Sequence, residues 1–244
     1  MAFVRPDGRG PTDLRPVKLQ RGFSPYAEGS CLIHMGKTIM HVTATVEDRV
    51  PGWMRGQGGG WITAEYGMLP RSGRERNQRD FMRPNGRTME IQRLIGRCLR
   101  SVVHLDRMGE WTITIDCDAI QADGGTRTAA ITAGYIALYD AFLWMVEQRI
   151  VPEPPVKEMI AAVSVGCVQG TEILDLCYEE DSQAEVDMNL VMTESGRFVE
   201  IQGTAETEPF SDERFAKMLA LGKKGIRELI ELQRKALGLE AIAK

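Results

Sequence analysis

The sequence QADGGTRTAA, residues 121–130, joins two segments of opposite character. Before it, residues 111–120 alternate apolar side chains with threonine and aspartate, which is typical of a half-buried strand. After it, residues 128–146 form a long apolar run that predicts a central helix. Gly124 and Gly125 mark a turn between the two. The stretch therefore predicts a strand-to-helix turn in the middle of an α+β fold.

The same turn has the composition of an anion-binding site. Glycine lets the backbone approach a ligand closely, and the start of a helix presents unpaired N–H groups and the positive end of the helix dipole. Arg127 adds a forked cation that matches phosphate geometry, and Thr126 adds a hydroxyl group. These residues predict a pocket for a phosphate or carboxylate. The alternative, an ordinary capped turn with a surface arginine, remains open at this point.

The composition of the chain is that of a soluble globular protein. Its 244 residues are 43% hydrophobic and 26% charged, which fits one larger domain or two closely packed halves. We expect no apolar run long enough to span a bilayer and no secretory signal, and hence no membrane partner. Five scattered cysteines without a CxxC pair predict reduced thiols and a cytoplasmic location.

Charge is distributed unevenly along the chain, although the net charge is only −4. Acidic residues concentrate between positions 175 and 187, whereas arginines concentrate between positions 71 and 100. The basic stretch includes a polar segment, residues 69–86, which is either a solvated linker or a loop that binds an anionic partner. The whole basic stretch, residues 71–100, contains nine arginines: Arg71, Arg74, Arg76, Arg79, Arg83, Arg87, Arg93, Arg97 and Arg100.

The remaining patterns predict strands followed by helices, twice over. Strands are expected at residues 31–35, 38–46 and 61–68, and a helix at residues 87–105. A proline-rich linker at residues 151–155 separates these from strands at residues 159–168, 173–178, 185–192 and 198–204 and from a helix at residues 211–237. Ser211 and Asp212 are both candidates to cap that last helix. This order predicts mixed sheets packed with helices, in a single domain of residues 1–244 with subregions of about 1–150 and 156–244.

Two aspartates in the acidic segment form a candidate metal site. Asp187 alternates with the apolar Val186 and Met188 on a predicted strand, and Asp181 lies just ahead of that strand. Two carboxylates with open positions between them suit Mg²⁺, which retains waters and binds phosphate groups. A solvated acidic turn is the alternative. Arg87, at a predicted helix start, is either a second phosphate clamp or one more solvated side chain.

Several segments, in the right order and covering nearly the whole chain, resemble the ribonuclease PH family. They are RPDGR (residues 5–9), WITAEYGMLPRS (61–72), GRTMEIQRLIGRCLR (86–100), CDAIQADGGTRTAA (117–130), LDLCYEEDSQAEVDMN (174–189) and FVEIQGTAETEPFS (198–211). The resemblance implies an α+β ribonuclease PH-like domain that is shared with the core domains of polynucleotide phosphorylase. It also implies a hexameric ring built as a trimer of dimers.

The activity that the resemblance implies is phosphorolytic 3′→5′ exoribonuclease activity, also called tRNA nucleotidyltransferase activity. Inorganic phosphate would attack the last phosphodiester of an RNA, chiefly the 3′ tail of precursor tRNA, and release a nucleoside 5′-diphosphate. The family's phosphate site falls on Arg87, Gly125, Thr126 and Arg127, and its Mg²⁺ site on Asp181 and Asp187. The implied catalytic set is Arg87, Thr126, Arg127, Asp181 and Asp187. Arg71, Arg74, Arg76 and Arg79 are expected to contact the RNA backbone.

Three other functions are weighed against this one. A catalytically inactive ring subunit that binds RNA should lack some of the phosphate arginines or metal acids, all of which are present here. A phosphotransferase for small nucleotides would not need the arginine-rich loop. A plain RNA-binding module would not need an acidic pair near an anion-binding turn, and it would leave RNA uncut in the presence of phosphate.

Overall fold

The computed structural model of the chain describes residues 4–78 and 85–239. Its first half forms a five-stranded sheet with the strand order β1-β2-β3-β5-β4. The strands are β1 (Val17–Arg21), β2 (Gly29–Met35), β3 (Thr38–Glu47), β4 (Trp61–Met68) and β5 (Thr112–Gln121). Neighbouring strands are antiparallel except for β4 and β5, which are parallel because helix α1 (Gly86–Ser101) carries the chain back between them.

The second half forms a four-stranded sheet with the strand order β7-β6-β8-β9. Its strands are β6 (Ile160–Val168), β7 (Thr171–Leu174), β8 (Val186–Thr193) and β9 (Phe198–Ala205). This sheet is wholly antiparallel, so only the first sheet is mixed. The short helix α3 (Tyr178–Asp181) lies between β7 and β8, and the long helix α4 (Asp212–Leu237) follows β9.

Helix α2 (Thr126–Glu147) is the centre of the core and contacts strands of both sheets. It approaches β2 so closely that a Cβ atom at Gly29 would lie 1.9 Å from the carbonyl oxygen of Ala137. Glycine at this position therefore sets the spacing between helix and sheet. The buried amide of Gln233 joins α4 to the same core, because its Nε2 donates to the carbonyl oxygens of Thr132 (2.8 Å) and Ile160 (3.0 Å).

Helix α2 also corrects one expectation from the sequence. With 22 residues and a mean hydropathy of 1.5 over its most apolar window, it is long and apolar enough to cross a membrane by length and composition. The prediction that no run reaches that length was therefore wrong. However, 72% of that window is buried inside the protein, and the core helix of a globular fold can be equally long and apolar.

The predicted α+β architecture is confirmed, with differences at the ends of elements. Residues 173–178 were predicted as one strand, but the strand ends at Leu174 and Tyr178 begins α3. The left-handed backbone of Asp175 (φ 57°) turns the chain between them. Strand β1 was missed because its five residues alternate without a strongly apolar run. Ser211 caps α4 by accepting from the N–H of Arg214, whereas Asp212 lies within the helix.

Candidate active site

The turn between β5 and α2 has the backbone shape that its two glycines predict. Gly124 and Gly125 both adopt left-handed conformations, with φ of 77° and 66°. A Cβ atom on Gly124 would lie 2.7 Å from the carbonyl oxygen of Leu176 and 2.9 Å from the nitrogen of Tyr178. Among the described residues, no side chain caps the N-terminus of α2, which leaves its first N–H groups to a ligand or water. The turn therefore offers an anion site pressed against the start of α3.

Thr126 and Arg127, the first two residues of α2, are held by neighbouring side chains. The hydroxyl of Tyr66, at the end of β4, donates to Oγ1 of Thr126 at 2.8 Å. Nη1 of Arg127 donates to Oε1 of Gln202 (2.6 Å) on β9 and to Oε1 of Glu90 (3.2 Å) on α1. Three separate elements thus fix the orientation of these two predicted phosphate ligands.

Arg87 enters the same site from the start of α1. Asn85 caps this helix by accepting from the N–H of Thr88 at 2.9 Å, and Arg87 follows as the second helical residue. Its side chain is exposed and lines the same cleft as Thr126 and Arg127. The prediction that a second cation stands near the glycine turn is therefore consistent with its position.

Asp181 and Asp187 face the cationic side of the cleft. Asp181 is the last residue of α3, and Asp187 is the second residue of β8. Partial desolvation raises the pKa of Asp181 even though its side chain is exposed at the cleft, and the charges of Arg87 and Arg127 oppose that rise. Desolvation also raises the pKa of Asp187, with further contributions from the charges of Asp181 and Glu206. The two carboxylates therefore lie close enough to repel each other.

A single cleft of about 1510 Å³ brings these predicted residues together. The residues that line it include Arg87, Gly125, Thr126, Arg127, Asp181 and Asp187. Within residues 4–78 and 85–239, no group of three His, Cys, Asp or Glu side chains is placed to hold a metal ion. A cation at the acidic wall would therefore take two protein carboxylates and complete its shell with water or phosphate.

The predicted RNA-binding arginines are only partly placed by the structure. Arg74 lines the cleft, where its guanidinium lies 5.7 Å from the centre of the Tyr178 ring. Arg71 and Arg76 are exposed on the same segment. Arg79 lies outside the described residues. Of the three arginines that the structure describes, Arg74 is the one that lines the cleft.

Comparison with known proteins identifies the family. Residues 13–143 match the model of domain 1 of the 3′ exoribonuclease family, and residues 158–225 match domain 2. The chain is 54% identical over 237 residues to a ribonuclease PH of Methylobacterium nodulans and 53% identical over 236 residues to one of Methylobacterium radiotolerans. Each match covers 96% of this chain and 100% of the relative.

The chain belongs to the ribonuclease PH family. It is a phosphate-dependent 3′→5′ exoribonuclease, as its sequence predicts. Solved structures show the same fold at lower identity: an Archaeoglobus fulgidus exosome with RNA bound to the active site (TM-score 0.80, 21% identity, 93% of this chain and 92% of that chain) and an archaeal exosome core (TM-score 0.75, 21% identity, 96% and 91%).

A buried ionic network contacts the glycine turn of this ribonuclease PH cleft. The sequence patterns did not reveal it. Arg15 is bonded to both carboxylate oxygens of Asp175, with Nη2 donating to Oδ1 at 2.7 Å and Nε to Oδ2 at 3.0 Å. Nη1 of Arg15 also donates to the carbonyl oxygen of Asp123 at 2.7 Å, in the glycine turn. Burial disfavours the charge of Arg15, but Asp175 more than compensates and raises the pKa of the guanidinium. The pair thus ties the glycine turn to the chain that leads into α3.

The N-terminal segment extends this network to α3 itself. Nε and Nη2 of Arg5 donate to the two oxygens of Glu180, at 2.7 and 2.8 Å, and both side chains are almost fully buried. Although burial disfavours the charged form, the bonds from Arg5 lower the pKa of Glu180. Glu180 in turn accepts from the N–H of Cys177 at 2.9 Å and so holds the first turn of α3. The helix that carries Asp181 is therefore anchored by residues at the start of the chain.

One signal in the sequence could have exposed part of this network. Asp175 stands between Leu174 and Leu176 in an apolar run, and a charge in such a run is rarely buried without a partner. The sequence offers no comparable signal that the partner is Arg15. Tyr66, Glu90 and Gln202 were also missed, because their relation to Thr126 and Arg127 depends on how separate elements pack.

Replacement of Asp175 should test how much the buried pair stabilises the fold. Asp175→Asn leaves Arg15 buried without its carboxylate, so we expect a loss of about 3–5 kcal/mol and a fall in Tm of roughly 10 °C. The matched control is Glu213→Gln, which removes the carboxylate of the exposed pair with Lys217 and should leave Tm unchanged. Equal Tm values for the two variants in calorimetry would contradict a stabilising role.

Unlike the buried pair of Arg15 and Asp175, the carboxylates of Asp181 and Asp187 should lower the stability of the folded protein. Because the folded-state pKa of Asp187 lies above its unfolded value, charging it destabilises the folded protein at every pH above that folded pKa. Asp187→Asn should therefore raise Tm at neutral pH in metal-free buffer, by roughly 2–4 °C for each kcal/mol relieved. The difference should shrink as pH falls toward the ordinary aspartate range near 4. Calorimetry from pH 4 to 8, with exposed Asp48→Asn as control, measures it, and a lowered Tm at neutral pH would refute it.

Proposed function

We propose that this cleft trims the 3′ tails of precursor tRNA by phosphorolysis, with phosphate held on Arg87, Gly125, Thr126 and Arg127 and with Mg²⁺ held on Asp181 and Asp187. The observation that carries the proposal is the opposition of charge across one cleft. Arg87 and Arg127 lie close enough to Asp181 to act on its pKa, so a bound anion and a bound cation would be neighbours. Phosphorolysis needs this arrangement because an anionic nucleophile must approach an anionic phosphodiester.

The contacts of the phosphate wall leave its donors available. Oγ1 of Thr126 accepts from Tyr66, so the proton of the Thr126 hydroxyl is free to point toward a ligand. In the part of the chain that the structure describes, both hydrogen bonds of Arg127 use Nη1. The other nitrogens of this guanidinium remain for bidentate binding of phosphate. Arg87 and the first N–H groups of α2 would complete a cationic cradle for the nucleophile.

The acidic wall fits Mg²⁺ better than it fits a softer metal. Its donors are the hard oxygens of Asp181 and Asp187, whose raised pKa values show that the charges of the pair are not fully balanced by the protein. When bound there, Mg²⁺ would stabilise negative charge on the scissile phosphate and on the departing 3′-oxygen. Asp181 and Asp187 would each supply one carboxylate to the Mg²⁺ ion.

The proposed reaction keeps atoms and charge in balance without a protein base. An oxygen of the bound phosphate forms a bond to the phosphorus of the last phosphodiester, and the bond from that phosphorus to the preceding 3′-oxygen breaks. The attacking hydrogen phosphate loses its proton as it becomes the terminal phosphate of the nucleoside 5′-diphosphate, and the released 3′-oxygen of the shortened RNA takes up a proton, so total charge is unchanged. Phosphate is already anionic at neutral pH, so no histidine is required, and the reverse step would add a nucleotide.

The activity assay tests this proposal directly. With Mg²⁺ and an RNA that carries a 3′ extension, we expect nucleoside diphosphates to be released only when inorganic phosphate is present. Arg127→Ala, Arg87→Ala and Asp181→Ala should each lower kcat/KM at least 100-fold, the scale for removal of one charge-stabilising group. Arg93→Ala is the matched control, because Arg93 is exposed on the same helix as Arg87 and should leave the rate unchanged. Monophosphates released without phosphate would indicate a hydrolase, and bound but uncut RNA would indicate an inactive ring subunit or a binding module.

The arginine-rich segment is proposed to bind the RNA backbone through Arg71, Arg74, Arg76 and Arg79. Its described arginines, Arg71, Arg74 and Arg76, are exposed, and Arg74 lines the cleft. Contacts from arginine to phosphate position a nucleic acid without reading its sequence. Each phosphate contact should contribute about 0.7–0.9 to the slope of log affinity against log salt concentration. Replacing Arg71, Arg74 and Arg76 by alanine should therefore reduce the slope for tRNA by roughly 2–3, as measured by filter binding. Replacing the exposed cations Lys18, Arg107 and Arg227 is the control, and an unchanged slope in the loop variant would contradict the proposal.

We further propose that the chain assembles as a homo-hexamer, a trimer of dimers. Strand β9 is an edge of the second sheet, and it carries the partly exposed large apolar side chains of Phe198 and Ile201. Open strand edges and exposed apolar groups are features that protein contacts cover. Native mass spectrometry should give six chains of 27.2 kDa, and Ile201→Glu should shift the population to smaller species. A wild-type protein that is monomeric at micromolar concentration would contradict this assembly.

A further inference from the structure

An exposed aromatic ring in the cleft has no part in the proposed reaction. Tyr178 is 50% exposed, which is high for a large side chain beside a buried core. It lines the same cleft as Arg87, Thr126 and Asp181. The guanidinium of Arg74 lies 5.7 Å from the ring centre, within the range of a cation–π contact. One face of this ring therefore lies against the guanidinium of Arg74 in the cleft, and a planar or cationic group can pack on that face.

The backbone of Tyr178 lies against the glycine turn, and the helix that it begins also carries Asp181. The nitrogen of Tyr178 would lie 2.9 Å from a Cβ atom on Gly124, so the residue packs directly on the glycine turn. Tyr178 is the first residue of α3 and Asp181 is the last, and residues three apart on a helix share one side. A nucleotide whose phosphate lies between Arg127 and Asp181 would consequently meet this ring.

We propose that the ring of Tyr178 is the stacking platform for the base of the 3′-terminal nucleotide of the RNA. The inference rests on the proposed function, in which the attacked phosphorus belongs to that nucleotide and only the ribose separates it from the base. Every base has an aromatic face, so stacking holds each of them without reading its identity. A platform of this kind suits an enzyme that removes successive nucleotides of any sequence.

Arg74 would exchange partners when RNA binds. Its guanidinium covers the ring face in the structure, and the base would take that face. Arg74 is exposed on its segment, so it would then meet the phosphate backbone of the same RNA. The base contact should therefore depend on the ring of Tyr178 and not on the charge of Arg74.

The test compares two RNAs of identical sequence that end either in adenosine or in a ribose without a base. With saturating phosphate and Mg²⁺, wild type should process the adenosine end about tenfold or more faster, as kcat/KM, which is the effect expected of one base–aromatic stack. Tyr178→Ala should lose this preference and act on both ends at the wild-type rate for the end without a base. Tyr178→Phe and Arg74→Ala should keep the preference, and so should Tyr26→Ala, which removes a tyrosine that is 94% exposed and does not line the cleft.

Three results would overturn the inference. They are equal rates of wild type on the two RNAs, equal slowing of both RNAs by Tyr178→Ala, and loss of the preference in Arg74→Ala. Binding without turnover separates failure of the platform from failure of the proposed function. Wild type should bind ADP about tenfold more tightly than ribose 5-diphosphate in calorimetry, and Tyr178→Ala should bind both equally. If no RNA yields diphosphates, the proposed function fails, but this difference in affinity still decides whether the platform exists.

Discussion

The buried pair of Arg15 and Asp175 is the interaction on which the geometry of the cleft depends. Both side chains are almost fully withdrawn from water, so each charge requires the other. Through the carbonyl oxygen of Asp123, the pair also fixes the glycine turn, and through the backbone of Asp175 it fixes the approach to α3. The glycine turn follows a strand of the first sheet, whereas Asp187 lies on a strand of the second. The pair joins the turn to the chain between β7 and α3, so the fold sets how close the turn lies to the start of α3.

Close contact between the glycine turn and α3 adds a steric constraint to this electrostatic one. Gly124 has no room for a side chain, because the backbone of residues 176–178 occupies the space that a Cβ atom would need. Its left-handed conformation also disfavours any other residue. Asp181, three residues after Tyr178, is therefore within reach of the charges of Arg87 and Arg127. Such closeness is what a reaction between two anions requires, since their repulsion must be offset by fixed charges rather than by mobile solvent.

The sequence predicted those parts of the structure that depend on local pattern. Strand β5, the glycine turn and helix α2 follow from alternation, two glycines and a long apolar run, all within one stretch of chain. The predicted strand at residues 173–178 failed because the left-handed backbone of Asp175 turns the chain there. The carboxylate of Asp175 accepts a hydrogen bond from Arg15, a residue 160 positions away. The hydrogen bonds from Arg127 to Glu90 and Gln202 depend in the same way on the packing of α1 and β9 against α2. Neither contact has a local signature, so only the fold reveals it.

Two sets of carboxylates in this chain differ in how far positive charges compensate their negative charge. One set supports the fold, and the other set lies in the cleft. Asp175 and Glu180 are buried against arginines that meet both of their oxygens. Asp181 and Asp187 lie a few residues further along, yet desolvation raises the pKa of both, and the charges of nearby arginines do not cancel that rise. The charge of Asp181 raises the pKa of Asp187 further. Arginines thus compensate the charges of Asp175 and Glu180, whereas the charges of Asp181 and Asp187 are only partly compensated. The energetic cost of this uncompensated charge distinguishes the pair from the buried acids that stabilise the fold.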